Sequence, residues 1–540
     1  MSASSKKKLR NAQQAEKMTE KQLAEQKEAK KLKLYSTLAV VILIALVVFA
    51  AYIGISKAVS NSGILERNTT ALTIGENQIS NAELNYFFVD AVNTFYNQYG
   101  AYASLIGLDT SLPLDEQILD EATQQTWADD FLATAVSDAK TAYALANEAA
   151  ANGYTLPEEA MSAIDQTLST MAAYATIYGY PNVDAYLKAM FGNGANEESL
   201  RAYYELTSTA RYYHQHYFDS LTYDDAALRA AEAENYNKYT TYSYNYYYLN
   251  ATNFIENAES TDYTEEQRAE GAKEAEKVAK SLTEGISTVE EFDAAIAALP
   301  MNAERTDVAS FSSNDEIYTD LFTGYAEWMS DPARKAGDMT YVPSITNTTD
   351  EAGNPVERIS GYYVVMFGTS NDNNYPLANV RHILVAFEGG SYDSNTGVTT
   401  YSEEEKAAAK SEALKIHNEW SSGAATEESF ASLANEKSDD GDGTTGGLYE
   451  DIYPGQMVDA FENWCFDDRK PGDTGIIETE YGQHIMYYSG DSDVTYRDHL
   501  ITNDLANADL AVWYENLMNS LSVTEHSFKY INTDMVLSGS

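Results

Sequence analysis

The sequence predicts a multidomain α+β protein with a single membrane-spanning helix near its N-terminus. Three observations carry this reading. An uncharged run of eighteen residues, Leu38–Ile55, follows a basic tail. Helix-patterned segments punctuated by Gly and Pro then continue to about residue 234. Between residues 236 and 490 the same order of elements, a strand followed by helices and closing strands, recurs. A chain of 540 residues suits several domains, since single cores rarely grow past about 250–300 residues.

Residues 1–35 read as a cytoplasmic basic tail, with ten cations against four Glu in the first 34 positions, a net of +6. Residues 36–58 read as a transmembrane anchor. As a helix, Leu38–Ile55 is about 27 Å long, enough to cross a hydrocarbon core. The basic flank places the N-terminus inside and residues beyond about 58 outside. A cleaved signal peptide is the competing reading. Against it stand the length of both regions and the lack of a clean A-x-A site, so an uncleaved anchor is expected. Met18–Lys33 reads as a charged, solvated helix continuing that anchor.

The balance of charge excludes one class of partner. With 83 Asp and Glu against 35 Lys and Arg, the formal net charge is −48. Nucleic acid needs clustered cations, so none is expected as a partner. Such a charge favours solubility. The 42 Tyr supply broad contact area with a polar tip, or simply fill half-buried positions. The one cysteine, Cys465, excludes an internal disulfide and a Cys-based zinc site, and it lies far from any N-terminal lipid-attachment position.

Residues 59–235 are expected to be an all-helical region. Residues 59–70 read as a short polar linker. From Ala71 come a brief strand, a Gly-Glu-Asn turn and a helix capped by Ser80 or Asn81, with Glu83 following. Trp127–Asn152, Pro157–Tyr178 and Glu197–Tyr217 continue the helical pattern, with Gly153, Pro157, Gly179 and Pro181 as breaks. In 236–370 an aromatic strand (240–250) precedes helices at Glu265–Leu282 and 292–299, and a second aromatic strand (361–367) closes the segment. In 376–490 a strand (380–387) is followed by a helix over 402–423 with Ser402 as N-cap. A short helix then runs into a Gly/Asp loop (430–447), followed by a short helix (454–466) and two strands with a turn (472–490). Residues 491–540 hold an amphipathic helix, Asp498–Leu521, expected to pack back on the helical region. A final strand is expected within His526–Leu537.

Seven short pieces stand in order within 376–490. They are RHILV at 381–385, FASLA at 430–434, SDD at 438–440, GGL at 446–448, GQM at 455–457, DAF at 459–461 and ETEYGQHI at 478–485. Together they resemble the parvulin family of peptidyl-prolyl cis-trans isomerases. The layout of basic tail, anchor, helical region and parvulin resembles the PrsA-type foldases of Gram-positive bacteria, which share a plan with SurA-type chaperones. PrsA-type proteins are normally lipid-anchored, and the transmembrane helix departs from that pattern.

The resemblance implies a four-stranded antiparallel sheet wrapped by helices. His382 would end the first strand region and His484 the last, both at the sheet centre beneath the substrate. Asp440 matches a position that holds Asp or Cys in the family, and Thr479 a hydroxyl near the histidines. Leu448, Met457 and Phe461 match the proline pocket. This set suits the chemistry. The X–Pro barrier of about 18–20 kcal/mol arises from amide resonance. Lowering it needs no nucleophile, metal or cofactor, and none is expected. It needs an apolar cup for the ring and polar groups that favour the twisted amide over the planar one.

Taken singly, each residue has a plainer explanation: a core histidine, a helix-core Met457–Phe461 pair, a turn aspartate. Rival chemistries fit poorly. Read as a calcium loop from Ser438, the segment matches at Asp440, Asp442 and Gly443 but starts with Ser and has Tyr449 where Glu belongs. His214 and His216, two apart on a helix, do not face one side. Serine-hydrolase motifs such as G-x-S-x-G are absent.

The first segment, 236–370, departs from the pattern. Tyr246 and Tyr363 fall near the two histidine positions, and no Gly/Asp loop or GQM–DAF helix is clear, although residues 327–339 hold the place of the late helix and turn. It reads as a degenerate parvulin-like domain without isomerase activity, an unrelated spacer being the alternative. The expected whole is a single-pass, membrane-anchored extracytoplasmic foldase acting on unfolded or partly folded secreted polypeptides with X–Pro bonds. A non-catalytic holdase of parvulin shape is the alternative.

Overall fold

The computed structural model describes residues 3–15, 20–255, 263–305, 307–317, 324–349, 354–393, 396–441 and 443–537. Asp442 of the rejected calcium reading and residues 18–19 of the expected tail helix lie outside them. The chain forms two compact units, residues 1–221 with 509–540, and residues 222–508.

In the first unit, α1 (Ala3–Ala15) precedes α2 (Glu20–Asn61). Proline-free, α2 continues without a break through the apolar run. Ile42–Asn61 is the one stretch among the described residues long and apolar enough to cross a membrane, and no part of it is buried in protein. The linker expected over 59–70 is structured instead. After Gly63, whose φ is 73°, comes α3 (Ile64–Asn68). Arg67 fastens it by donating to the carbonyls of Ser62 at 2.9 Å and Gly194 at 3.1 Å. Polar composition suggested a free linker because these polar side chains do their bonding within the fold.

The brief strand after Ala71 is a hairpin, β1 (Thr70–Ile74) and β2 (Asn77–Ser80). Ser80 then caps α4 (Asn81–Tyr99) in a reciprocal box: its Oγ accepts from Glu83 N–H at 3.2 Å, and its own N–H donates to Glu83 at 2.8 Å. A second small hairpin, β3 (Ile118–Asp120) and β4 (Gln125–Thr126), precedes α5 (Trp127–Ala151), α6 (Glu158–Ile177), α7 (Val183–Phe191) and α8 (Glu197–Ser220). The region is therefore helical with two hairpins, not all-helical. Leu84, Phe88 and Val92 of α4 meet Phe131, Ala135 and Ala139 of α5 at the i, i+4 spacing that puts one helix face in a core.

The second unit opens with α9 (Asp225–Glu234) and β5 (Thr241–Asn250). Next come α10 (Glu265–Leu282), α11 (Val289–Ala297), β6 (Phe311–Ile317), α12 (Ala326–Met329), β7 (Met339–Thr349) and β8 (Pro355–Asn371). These four strands form an antiparallel sheet in the order β6-β5-β8-β7. After it stand β9 (Pro376–Ala386), a small hairpin of β10 (Ser391–Asp393) and β11 (Val398–Thr400), α13 (Glu403–Ser422), α14 (Glu427–Lys437), β12 (Leu448–Ile452), α15 (Asp459–Phe466), β13 (Thr474–Glu478) and β14 (Gly482–Thr495). The second sheet runs β12-β9-β14-β13. With strands named by appearance, both sheets read second, first, fourth, third. Among the described residues, both also carry two α-helices between the first and second strands and one between the second and third.

Of the strands in the two four-stranded sheets, three escaped the sequence reading, β6, β7 and β12, and each lies at a sheet edge; the short hairpin strands β2, β3, β4, β10 and β11 also went unread. Edge strands face solvent and lose the apolar period; β7 also holds Pro343, which only an edge or a bulge tolerates. The helix expected from Pro454 starts at Asp459, since residues 454–458 form a turn. The chain ends with α16 (Tyr496–Ser520) and β15 (Val523–Glu525), which pairs with β1. The final strand thus precedes the expected span, and within that span Ile531 and Leu537 join the first unit's core, against which Trp513 and Leu517 also pack.

Candidate active site

The strands β9 and β14 are the centre of the second sheet, paired with His382 opposite Met486 and His484 opposite Leu384. Strand pleating sends alternate residues to opposite faces. Ile383, Val385, Ile485 and Tyr487 pack with Ala413 of α13 and Phe430 of α14. Val380, Met486 and Tyr488 pack with Phe461, Trp464 and Cys465 of α15. The histidines share this second face. His382 lies inside β9, four residues before its end, and His484 is the third residue of β14, so neither ends its strand as expected.

Only 4% of His382 and 5% of His484 is exposed. Their Nδ1 atoms stand 3.1 Å apart, and the rings are stacked at 5.3 Å. His382 Nε2 is 3.0 Å from Asp440 Oδ2, and His484 Nε2 is 2.8 Å from Thr479 Oγ1. One arrangement of protons satisfies the whole chain. A carboxylate only accepts, so His382 donates from Nε2 and must accept at Nδ1. His484 therefore donates from Nδ1 and accepts at Nε2 from the Thr479 hydroxyl. That hydroxyl oxygen in turn accepts from Tyr481 N–H at 3.2 Å. Every proton in the series points toward Asp440.

Local backbone explains the placement. Gly447, with φ 66°, passes so close to His382 that a Cβ would lie 2.2 Å from its carbonyl oxygen. This approach lets His382 N–H donate to Gly447 O at 2.9 Å. Ser438 and Asp439 stitch the loop to β9: Leu384 N–H donates to Ser438 Oγ at 3.1 Å and Ala386 N–H to Asp439 Oδ2 at 2.9 Å. Asp440 is thereby held above His382. Thr479 N–H donates to Gly482 O at 3.0 Å, closing the turn that aims the threonine at His484.

Phe461 sets its ring edge-on to both imidazoles, at 5.3 Å from His382 and 5.6 Å from His484, and Met457 packs into the same apolar group. Leu448 is different. It opens β12 opposite Arg381 and is half-buried, but it joins neither apolar cluster described for the two faces of this sheet. The next residue, Tyr449, figures in the sequence only as the mismatch of the calcium loop, not as a residue of this site. Its ring lies 5.1 Å from that of His382, and its hydroxyl donates to Asp440 Oδ2 at 2.9 Å. The alternation of β12 is the signal that places it, and that strand was not recognised.

Burial holds the pair neutral. It lowers the pKa of His382 against the upward pull of Asp440, and it pushes His484 down to about 4, helped by the neighbouring His382. Unfolded histidines titrate near about 6.5, so from there down to about pH 4 the unfolded chain binds protons that the folded one refuses. The pair's contribution to stability is complete above pH 6.5 and fades as pH falls through that window. The urea midpoint of this domain should drop between pH 7.5 and 5, and His484→Gln should flatten the slope. An equal slope in the variant would contradict the assignment.

The first sheet has tyrosines at the matching register. Gly361 pairs with Asn250 as Gly482 pairs with Ala386. Counted from these pairs, Tyr246 and Tyr363 stand where His382 and His484 stand, with ring centroids 6.1 Å apart. Among the described residues, no group of three or more His, Cys, Asp or Glu is placed to hold a metal ion.

A family model described as the PPIC-type PPIASE domain matches residues 362–490. The first ten of these residues belong to β8 and so to the preceding sheet. No curated protein matches the sequence. Two crystal structures of peptidylprolyl isomerase (PrsA) are similar to part of the chain. The one from Bacillus anthracis is 23% identical over 28% of this chain and 59% of its own, and the one from Bacillus cereus is 21% identical over 28% and 50%; the TM-score is 0.17 for each.

Proposed function

We propose that this protein, whose residues 362–490 carry a PPIC-type peptidyl-prolyl isomerase domain, is a membrane-anchored extracytoplasmic foldase that isomerises X–Pro bonds in secreted polypeptides. The observation that carries the reading is the buried, neutral His382–His484 pair beneath the apolar group of Phe461 and Met457. An amide loses resonance when it twists, and its nitrogen becomes pyramidal and basic. A dry floor with fixed hydrogen-bond polarity favours that twisted state over the planar one, and such differential binding is the source of rate. His382, His484 and Thr479 set the polarity, and Asp440 fixes its direction. Phe461 and Met457 offer the proline ring an apolar surface. The helix Ile42–Asn61 supports the anchor, and the lysines before it support an inside N-terminus. Tyrosines at both histidine positions of the first sheet support a non-catalytic role for 236–370.

Proline-peptide isomerisation by the full-length chain in detergent is the test. Phosphate-directed recognition requires paired cations. The stretch Glu388–Glu405 after β9 instead holds four Glu besides Asp393, and no Lys or Arg. Unphosphorylated Ser-Pro peptides should therefore turn over faster than their phosphoSer-Pro counterparts. The reverse order would contradict the substrate reading, and a folded chain without activity would move the protein to the holdase class.

A further inference from the structure

We propose that Tyr449 is a positioning residue of this site, holding Asp440 in the orientation that fixes the tautomers of the histidine pair; the inference rests on the isomerase reading above. Asp440 stands on a loop in which Gly441, Gly443, Gly446 and Gly447 all have positive φ. Its side chain is 38% exposed. Backbone of this kind does not by itself hold a carboxylate in one rotamer. Oδ2 is instead held from two sides, by His382 Nε2 at 3.0 Å and by the Tyr449 hydroxyl at 2.9 Å. Tyr449 comes from β12, a strand tied to β9, and its ring rests against the imidazole that its hydroxyl serves indirectly.

The consequence follows from the order of protons. Asp440 is the acceptor that makes His382 donate from Nε2. Should the carboxylate swing toward solvent, His382 loses the reason to keep its proton there, and the series through His484 to Thr479 can reverse. A hydrogen bond to a carboxylate is among the stronger ones available to a phenol. Burial first, and the bond to Asp440 second, raise the pKa of Tyr449, so the phenol stays protonated and able to donate.

The experiment uses the full-length chain in detergent, with Tyr449→Phe, Asp440→Ala and the double variant. Tyr449→Phe keeps the ring and removes only the hydroxyl, and an unchanged unfolding midpoint verifies the fold. We expect kcat/KM to fall about tenfold, mostly in kcat, since the lost bond orients the floor and does not touch the peptide. In the Asp440→Ala background the same change should cost less than twofold, because its target is gone. Equal losses in both backgrounds, or a wild-type rate in Tyr449→Phe, would overturn the inference while leaving the isomerase reading intact. An inactive wild-type chain would remove that reading and the inference together.

Discussion

Truncating Phe461 to Ala in the full-length chain should abolish measurable proline isomerisation and destabilise the domain by about 3–5 kcal/mol. Phe461 is 3% exposed and packs with Trp464, Cys465 and Met486 while meeting both imidazoles edge-on. Removing the ring opens a cavity beside the histidines. Water that enters it solvates the pair and erases the difference between planar and twisted amide on which rate depends. Stability and catalysis are separated by Phe461→Leu, which keeps most of the buried area and should cost far less in a urea titration, yet still lose activity. Because Tyr246 and Tyr363 take the histidine places in the first sheet, no residual activity should survive. Wild-type turnover by a folded Phe461→Ala chain would place the activity outside 376–490.

Arg497→Ala should destabilise the second unit by about 3–5 kcal/mol, as the breaking of buried ion pairs does. Arg497 is 1% exposed. Its Nε donates to Glu232 Oε1 at 2.5 Å, Nη1 to the carbonyls of Asp372 at 2.8 Å and Tyr239 at 3.2 Å, and Nη2 to Tyr236 O at 2.6 Å. The guanidinium also lies 4.0 Å from the Tyr236 ring centroid. One side chain thus joins α9, the stretch before β5, the connection between the two sheets and the start of α16. Alanine takes this donor from Glu232 and from the carbonyls of Asp372, Tyr236 and Tyr239, although Glu232 keeps Arg229 and the Tyr239 carbonyl keeps Asn373 Nδ2. Arg497→Lys should rescue little, since a single ammonium does not reproduce a planar fork aimed at four acceptors. Unfolding midpoints of the two variants check this, and a wild-type midpoint in either would contradict it.

The helices were legible because their signals are local. Ser80 with Glu83, and Ser402 as N-cap, mark helix starts locally, and Glu265–Leu282 is a helix within the bounds its pattern suggested. The apolar run of α2 reads from composition alone. The motif order from RHILV to ETEYGQHI singles out His382, Asp440, Thr479 and His484 as candidates.

In the two four-stranded sheets the central strands were legible, and of the edge strands only β13, whose Gly-Ile-Ile run leads into the turn before β14. In β9 and β14 both faces are covered, so VRHILVAF and GQHIMYY are apolar enough to stand out. In β6, β7 and β12 an unpaired edge faces solvent, and their pairing with distant strands is what makes them strands. Tyr449 was hidden for that reason. The sequence by itself determined the apolar run of α2, the capped helices, the central strands and the candidate set His382, His484, Thr479, Asp440, Met457 and Phe461. Tertiary structure alone decided that the two histidines meet at Nδ1, that their protons point toward Asp440, and that Tyr449 holds that carboxylate. Local pattern records which face a segment buries. It does not record which atoms meet once segments a hundred residues apart are paired across a sheet.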